Sequence, residues 1–260
     1  MSIQHSLLHG RMRSLLRAGG GGGASVDLQS LLWPTGTEAG IYLDPSDAAT
    51  VYQDSAGTTA GALNQPVGLR LDKRLGATTP AGPGNHVSQV TSTARPTWKL
   101  DGSIYSDLFD VVDDGYSTAA FAAGALTANM DCFIAVKRVT GVNTLIFSGG
   151  ASKFFGVMDA TTAISFSGVG FLSSVYVNGV QVGGTNTTTR LQLHNAVPAG
   201  EWKILEFRNL DLSTWTILKR DYASFQPNGN DGGAIICPAQ SDANRAIVRT
   251  ELGRKVGLSL

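Results

Sequence analysis

The stretch SSVYVNGVQVGG at residues 173–184 constrains the fold of this chain more than any other feature. Apolar and less apolar residues alternate on both sides of Asn178-Gly179, and the apolar positions are Val175, Val177, Val180 and Val182. Asn-Gly is the pair that best adopts the positive φ angles of a type I′ turn, and alternation with a period of two is typical of half-buried strands. The stretch therefore predicts a β-hairpin.

Short apolar stretches separated by turn residues recur from about Gly40 to Pro238. Near the start they are Ile41 to Leu43, Val51-Tyr52 and Gly68 to Leu71. Further segments of this kind are MDCFIAVKR, NTLIFSGG, KFFGVMDA, AISFSG, EWKILEFRNLDLS and TWTILKRD. Few stretches here have helical periodicity, and the 32 glycines supply many tight turns. The pattern predicts an all-β fold, a sandwich of two antiparallel sheets.

The two ends of the chain differ from this pattern. Residues 1–18 carry six apolar residues on one face of a predicted helix: Ile3, Leu7, Leu8, Met12, Leu15 and Leu16. The five glycines at 19–23 form a flexible linker to a domain at 24–260. Two interpretations of the N-terminal segment stay open: it docks to a partner or to another copy of the chain, or it is a terminal helix that frays or folds back on its own domain.

A second helix is predicted at 241–257, where the sequence reads SDANRAIVRTELGRKVG. Ser241 or Asp242 provides an N-cap and Gly257 a stop signal. Its apolar face comprises Ile247, Val248, Leu252 and Val256. This helix is expected to close the domain.

Composition and charge narrow the function. The chain of 260 residues has equal numbers of basic and acidic residues, so no net field draws it to nucleic acid or to an acidic membrane. No apolar run approaches the roughly 20 residues of a membrane span, and no signal-peptide core of about 7–15 residues is visible. We expect a soluble protein made in a cytoplasm. Cys132 and Cys237 lie in apolar runs and are expected to be buried free thiols, with a single bridge between them as the alternative.

The residues that catalysis needs do not form a recognisable set. The carboxylate candidates for glycoside hydrolysis are Asp110, Asp113, Asp114, Glu201 and Glu206. Asp113-Asp114-Gly115 is typical of a turn, and Glu201 and Glu206 fall on opposite faces of a regular strand. Of the four histidines, His5 and His9 lie in the N-terminal segment, and His86 and His194 are expected to bond local backbone. No zinc-ligand spacing or phosphate-binding loop is present, so we expect no enzyme activity and no cofactor.

Two binding functions stay open at this point. The acidic turns LDPSD, YQDS and VVDDG offer oxygens to calcium, although Asp also caps turns without any ion. Aromatic side chains that could stack on a sugar are Trp98, Trp202, Trp215, Tyr116 and Tyr176. Trp202 and Trp215 lie in alternating stretches and are expected in the core. GGTNTTTR at 183–190 is expected to be a polar loop, and no glycan-binding residue is assigned.

Six segments carry a resemblance: YLDPSDAATVYQDSAGTT, QPVGLRLDK, GNHVSQVTSTARPTW, DLFDVVDD, VYVNGVQV and SDANRAIVRTELGRKVGL. In this order they resemble the concanavalin A-like, laminin-G-like jelly-roll proteins of tailed bacteriophages and their prophages, over most of residues 40–260. Two departures exist. Val111 stands where the family often has Gly, and GGAIICP lacks the acidic residue common in the last strand. No calcium or ligand site is therefore carried over.

The resemblance implies a jelly roll of two curved antiparallel sheets and a role in the virion, as part of a tail, fibre, baseplate or head decoration. It implies assembly in the cytoplasm of the host bacterium, other virion proteins as partners and self-association as a homotrimer. The alternative is a carbohydrate-binding module that recognises host surface polysaccharide. A glycan-degrading enzyme is the third and weakest interpretation.

Overall fold

The computed structural model describes residues 25–75, 79–81, 84–110, 112–120, 126–139, 144–149, 153–161, 174–185, 187–220 and 227–260. The predicted N-terminal helix, the glycine linker and the segment AISFSG lie outside these residues. In chain order the elements are α1 Leu28–Leu32, β1 Ile41–Leu43, β2 Val51–Tyr52, β3 Leu69–Arg70, β4 Val87–Ser88, β5 Thr97–Asp101, β6 Ile104–Asp110, β7 Ser117–Thr118, β8 Met130–Lys137, β9 Phe147–Ser148, β10 Phe154–Phe155, β11 Ser174–Val177, β12 Val180–Val182, α2 Arg190–Ala196, β13 Trp202–Leu210, β14 Asn228–Pro238 and α3 Asp242–Lys255.

The larger sheet has eight strands in the order β12-β11-β13-β8-β14-β6-β5, with β1 also paired to β14. Every pairing in it is antiparallel. β14 is long enough to pair with β6 near its start and with β1 near its end, while β8 runs along its other edge. Strands close to both ends of the chain are thus joined in the middle of one sheet.

The smaller layer contains β2-β3-β4-β7 in that order and the separate pair β9-β10. Lys219 forms isolated bridges with both Ser117 and Ser148, so it connects these two parts. All of these pairings are antiparallel as well. The described chain is therefore a mostly β, antiparallel, sandwich-like fold with few helices, which confirms the predicted class.

Apolar packing covers both faces of the larger sheet. On β8, Cys132, Ile134 and Val136 belong to the core between the two layers. Phe133 and Ala135 point the other way, into a second core that β8 shares with α1 and α3. Burying a large apolar side chain stabilises a fold by about 1.5–3 kcal/mol, so a strand buried on both faces anchors both cores. The alternation that marks a half-exposed strand is absent from β8 for this reason.

The hairpin and the closing helix form as predicted. Asn178 has φ 50° and Gly179 has φ 83°, and Val177 pairs directly with Val180. Ser241 caps α3 by accepting a hydrogen bond from Asn244 N at 3.2 Å. Gly257, with φ 73°, follows its last turn. MDCFIAVKR and EWKILEFRNLDLS also correspond to strands, β8 and β13.

Other predicted elements were wrong in extent or type. TWTILKRD is not a strand, because only Lys219 forms a bridge within its described residues. Trp215 is nevertheless buried, with its ring centroid 5.7 Å from that of Phe155. NTLIFSGG and KFFGVMDA contain strands of only two residues each. In the region from Gly40 to Pro238, where few stretches have helical periodicity, the structure contains α2, which begins inside the predicted polar loop at 183–190.

The two cysteines are free and buried. Cys132 belongs to the core between the layers, whereas Cys237 belongs to the core beneath α3. The larger sheet therefore separates the two sulfurs. The predicted free thiols are confirmed, and the bridge that was the alternative does not form.

Candidate functional site

Buried acids bonded to basic side chains of other elements are the most developed polar feature of the described chain. Asp44, in the turn after β1, is 1% exposed. Its Oδ2 accepts hydrogen bonds from Lys255 Nζ at 2.5 Å and from Lys73 Nζ at 3.0 Å. Burial by itself raises the pKa of Asp44, but the two ammonium groups outweigh it and hold that pKa well below its usual range. The turn LDPSD is thus fastened to the C-terminal helix.

Asp72 organises the neighbouring backbone. Its carboxylate accepts from Tyr42 N at 2.9 Å and from Asn85 N at 2.8 Å. His86 Nδ1 accepts the backbone N–H of Asp72 at 2.9 Å. His86 was expected to bond local backbone: its partner is a backbone group, as expected, but it lies 14 positions away in sequence and is not local.

Between the two layers lies a buried network of Arg70, Asp107 and Tyr116. Arg70, on β3 of the smaller layer, is 1% exposed and forms a bidentate ion pair with Asp107 on β6 of the larger sheet. Tyr116 Oη donates to the same carboxylate at 3.1 Å. Burial, followed by the charge of Asp107, raises the pKa of Tyr116 well above its ordinary value. This network ties the sheets together through charge.

Two arginines of α3 hold the helix on the larger sheet. Asp131 and Glu206 are both fully buried. Arg245 Nε donates to Asp131 at 2.8 Å, and Arg249 Nη1 donates to Glu206 at 3.0 Å. Glu201 instead lies before β13, is exposed and pairs with Lys203. The structure therefore does not combine Glu201 and Glu206 into a catalytic pair, and Glu206 has a structural partner in α3.

Asp110, Asp113 and Asp114 do come together at the end of β6. Their nearest carboxylate oxygens all lie within 4.8 Å of one another. Burial, then the charges of Asp110 and Asp113, raises the pKa of Asp114 to about 6. Calcium takes about six to eight oxygen ligands, so this cluster offers part of such a set. Asp114 Oδ2 also accepts from Asp110 N at 2.8 Å, which is the bond of a turn-forming aspartate.

The aromatic residues considered for sugar stacking are mostly core residues. Trp98, Trp202, Trp215 and Tyr116 are buried. Tyr176, on β11, is partly exposed, but the guanidinium of Arg208 lies 3.6 Å from its ring centroid. One face of the Tyr176 ring is thus covered by the protein itself. The expectation for Trp202 and Trp215 is confirmed.

Helix α2 carries an interaction that the sequence did not predict. Thr189 caps the helix, and Gln192 completes a capping box, a T-x-x-Q signal visible in the sequence. Val197 O, just after α2, accepts from Arg138 Nε at 3.0 Å, and His194 Nδ1 accepts from Arg138 Nη1 at 2.9 Å. Burial, then the charge of Arg138, lowers the pKa of His194. The ring of His194 therefore bonds a buried side chain 56 positions away, and the expectation that it bonds local backbone was wrong.

The candidate docking residues Ile3, Leu7, Leu8, Met12, Leu15 and Leu16 lie outside the described residues. Within the described part of the chain, no helix has the length and apolar character needed to cross a membrane. No protein-family model, curated protein or solved structure matches this chain.

Proposed function

We propose that this chain is a structural component of a bacteriophage virion, part of a tail, fibre, baseplate or head decoration, and that it displays a lectin-like jelly roll. The proposal starts from the resemblance of its motifs to phage jelly-roll proteins. One structural observation supports it most: motifs of that resemblance that lie far apart in the sequence contact one another.

The opening and closing motifs are in direct contact. Lys255 of GRKVGL bonds Asp44 of YLDPSD across 211 positions of sequence. Trp98 of ARPTW donates its indole N–H to Pro45 O at 3.0 Å. Arg70 of QPVGLRLDK pairs with Asp107 of DLFDVVDD. The contacts bring these motifs together in one fold, as expected if the resemblance extends over the domain.

The arrangement of strands supports the finer assignment to a jelly roll. β8 lies between β13 and β14, far from its neighbours in sequence, and β1 joins the sheet beside β14. Jelly rolls build two packed sheets from such non-local neighbours. The charged side chains also suit a rigid display module, because Asp44, Asp107, Asp131 and Glu206 each bind a basic residue of another element.

Docking is assigned to the N-terminal segment. Val26 N donates to Glu251 Oε1 of α3 at 3.2 Å, so the described chain begins beside this helix. The segment before it carries the apolar residues Ile3, Leu7, Met12 and Leu15. An apolar face is unfavourable in water, so docking to another virion protein or to further copies of the chain explains it. A homotrimer is the expected oligomer.

Immunogold labelling tests the virion assignment. Antibodies raised against the purified domain are applied to particles of the phage, or induced prophage, whose genome encodes this chain. Gold particles at one defined place, a tail, fibre, baseplate or head, are expected. Unlabelled particles from a lysate that contains the soluble protein contradict the proposal, provided that the same antibody detects a tagged copy in that lysate.

Deletion of residues 1–23 tests the docking role separately. Light scattering is expected to show loss of the oligomer, and the truncated protein is expected to be missing from particles. A variant with Leu7→Ser and Leu15→Ser keeps the length and is expected to behave likewise. Unchanged mass and incorporation contradict docking through this segment. A glycan array with the isolated domain separates display from the alternative of host polysaccharide recognition.

A further inference from the structure

A small cavity between the two layers is lined by two buried arginines. Arg138 is 5% exposed and Arg220 is 4% exposed. Both line a cavity with room for about one water-sized particle. The remaining lining residues are Val136, Thr144, Ile146, Met158, Gly229 and Asn230. Val136, Ile146 and Met158 form the apolar part of this wall, and a low local dielectric strengthens electrostatic interactions inside the cavity.

The positive charge at this cavity exceeds the negative charge. Arg220 Nη2 pairs with Asp231 at 3.3 Å. Arg138 bonds only Val197 O and His194, and among the described residues no carboxylate forms an ion pair with it. Of the two guanidinium groups, that of Arg220 therefore has a carboxylate partner and that of Arg138 has none among the described residues. A buried charge is costly unless a counter-charge accompanies it, and among the described residues one of the two guanidinium groups has none.

The hydrogen bonds of Arg220 also leave its guanidinium incompletely satisfied. Its Nη1 donates to Ile146 O at 2.5 Å, and its guanidinium carbon lies 5.2 Å from the ring centroid of Phe109 and 5.1 Å from that of Phe147. Its Nε is buried and has no hydrogen-bond partner in the described structure. Burial lowers the pKa of both Arg138 and Arg220, as expected for incompletely compensated cations.

We propose that this cavity binds a single monatomic anion, chloride in most solutions, held by the guanidinium groups of Arg138 and Arg220. The room for about one water-sized particle suits a monatomic anion better than phosphate or sulfate, and the two guanidinium groups disfavour a cation. The charge of the anion, together with that of Asp231 on β14, balances the charges of Arg138 and Arg220. It is a structural ligand and takes no part in docking or display.

Anomalous diffraction from crystals grown with sodium bromide tests the site on the unaltered protein. A bromide peak between Arg138 and Arg220 is expected. Electron density of a water molecule without an anomalous signal overturns the proposal.

Thermal and chemical unfolding provide the second test. Chloride replaces gluconate, which is too large for the cavity, at constant ionic strength. A rise in chloride from about 5 to about 500 mM is expected to shift the unfolding equilibrium by up to about 100-fold towards the folded state. Arg138→Gln leaves no carboxylate unpaired. In this variant the same rise in chloride is expected to shift the unfolding equilibrium by about 10-fold or less. The control Arg254→Gln, on the exposed side of α3, is expected to keep it.

Asp221 follows Arg220 directly and lies outside the described residues. The Asp221→Asn variant is expected to respond to chloride as the unaltered protein does. A response seen in Asp221→Asn alone assigns the missing negative charge to that carboxylate and overturns the proposal. The proposal is also overturned if chloride changes the stability of neither the unaltered protein nor any of the variants.

Discussion

Asp114 is a buried carboxyl group whose surroundings oppose its charge. Its pKa is raised from 3.8 to about 6, because burial and the charges of Asp110 and Asp113 outweigh the hydrogen bond from Asp110 N, which favours the anion. Between these two pH values the folded protein holds a proton that the unfolded chain has lost. The stability therefore falls as the pH rises from 3.8 to about 6, and the loss persists at higher pH.

Replacement of Asp114 by Asn is expected to remove this loss. The amide keeps an oxygen for Asp110 N and offers N–H donors to the carboxylates of Asp110 and Asp113. In the presence of a chelator, urea unfolding at pH 8 is expected to show Asp114→Asn about 2 kcal/mol more stable than the unaltered protein, and near pH 4 the difference is expected to vanish. Asp113→Asn, at an exposed position, is the control and is expected to change stability less. A destabilised Asp114→Asn at pH 8 contradicts this account.

The same two variants test whether the cluster of Asp110, Asp113 and Asp114 binds calcium. If the cluster binds the ion, calcium stabilises the unaltered protein above pH 6 and both variants lose that effect. If Asp110, Asp113 and Asp114 only shape a turn, calcium changes the unfolding of none of the three proteins.

Helix α3 shows how an acid beneath a helix fixes its position. Asp131 is fully buried and accepts from Arg245, whereas Glu251 pairs with Arg254, which is 55% exposed. Removing one partner of a buried pair costs about 3–5 kcal/mol, and an exposed pair contributes about 0–1 kcal/mol. Arg245→Ala is therefore expected to lower the unfolding free energy by about 3 kcal/mol and Arg254→Ala by less than about 1 kcal/mol. Equal losses measured in urea would contradict the assigned role of Asp131.

Helix α2 provides a pH-dependent contact. His194 accepts from the buried Arg138, and its pKa lies below the ordinary 6.5 because of burial and that cation, while Asp159 acts in the opposite direction. Below pH 6.5 the unfolded chain takes up a proton that the folded protein does not yet bind, so stability falls as the pH falls. His194→Gln keeps an acceptor for Arg138 and is expected to remove this contribution. Urea unfolding at pH 7.5 and at pH 5 measures it, and an unchanged difference between the two pH values contradicts the assignment.

Elements with a local signal were predicted, and those fixed by distant partners were not. Asn178-Gly179 and Ser241 act within a few residues, so the hairpin and α3 could be read from the sequence. TWTILKRD has the composition of a strand, yet Lys219 finds only single bridges to Ser117 and Ser148. The ion pairs of the candidate site could not be predicted from the sequence, because Asp131 and Arg245 are 114 positions apart and no local pattern joins them.

The network of Arg70, Asp107 and Tyr116 links the two layers of the fold. An interior of apolar residues alone would allow the sheets to slide, since apolar contacts are not directional. A bidentate ion pair fixes one relative position of β3 and β6, because both oxygens of Asp107 must meet the guanidinium. Desolvation offsets much of the attraction within such a pair, so its contribution is expected to lie in position more than in stability.

Three variants separate these contributions. Arg70→Met leaves a buried carboxylate with Tyr116 as its one strong donor and is expected to cost about 3–5 kcal/mol in urea unfolding. The combination Arg70→Met, Asp107→Leu and Tyr116→Phe removes every charged or hydroxyl group of the network and is expected to recover most of that loss, because no unpaired polar atom is left. Tyr116→Phe alone is expected to cost about 1 kcal/mol. If the network mainly fixes the position of the sheets, the triple variant is expected to be stable yet to show faster backbone amide exchange in β3 and β6. A triple variant as unstable as Arg70→Met, or one with unchanged exchange, would show that the ion pair does not act in this way.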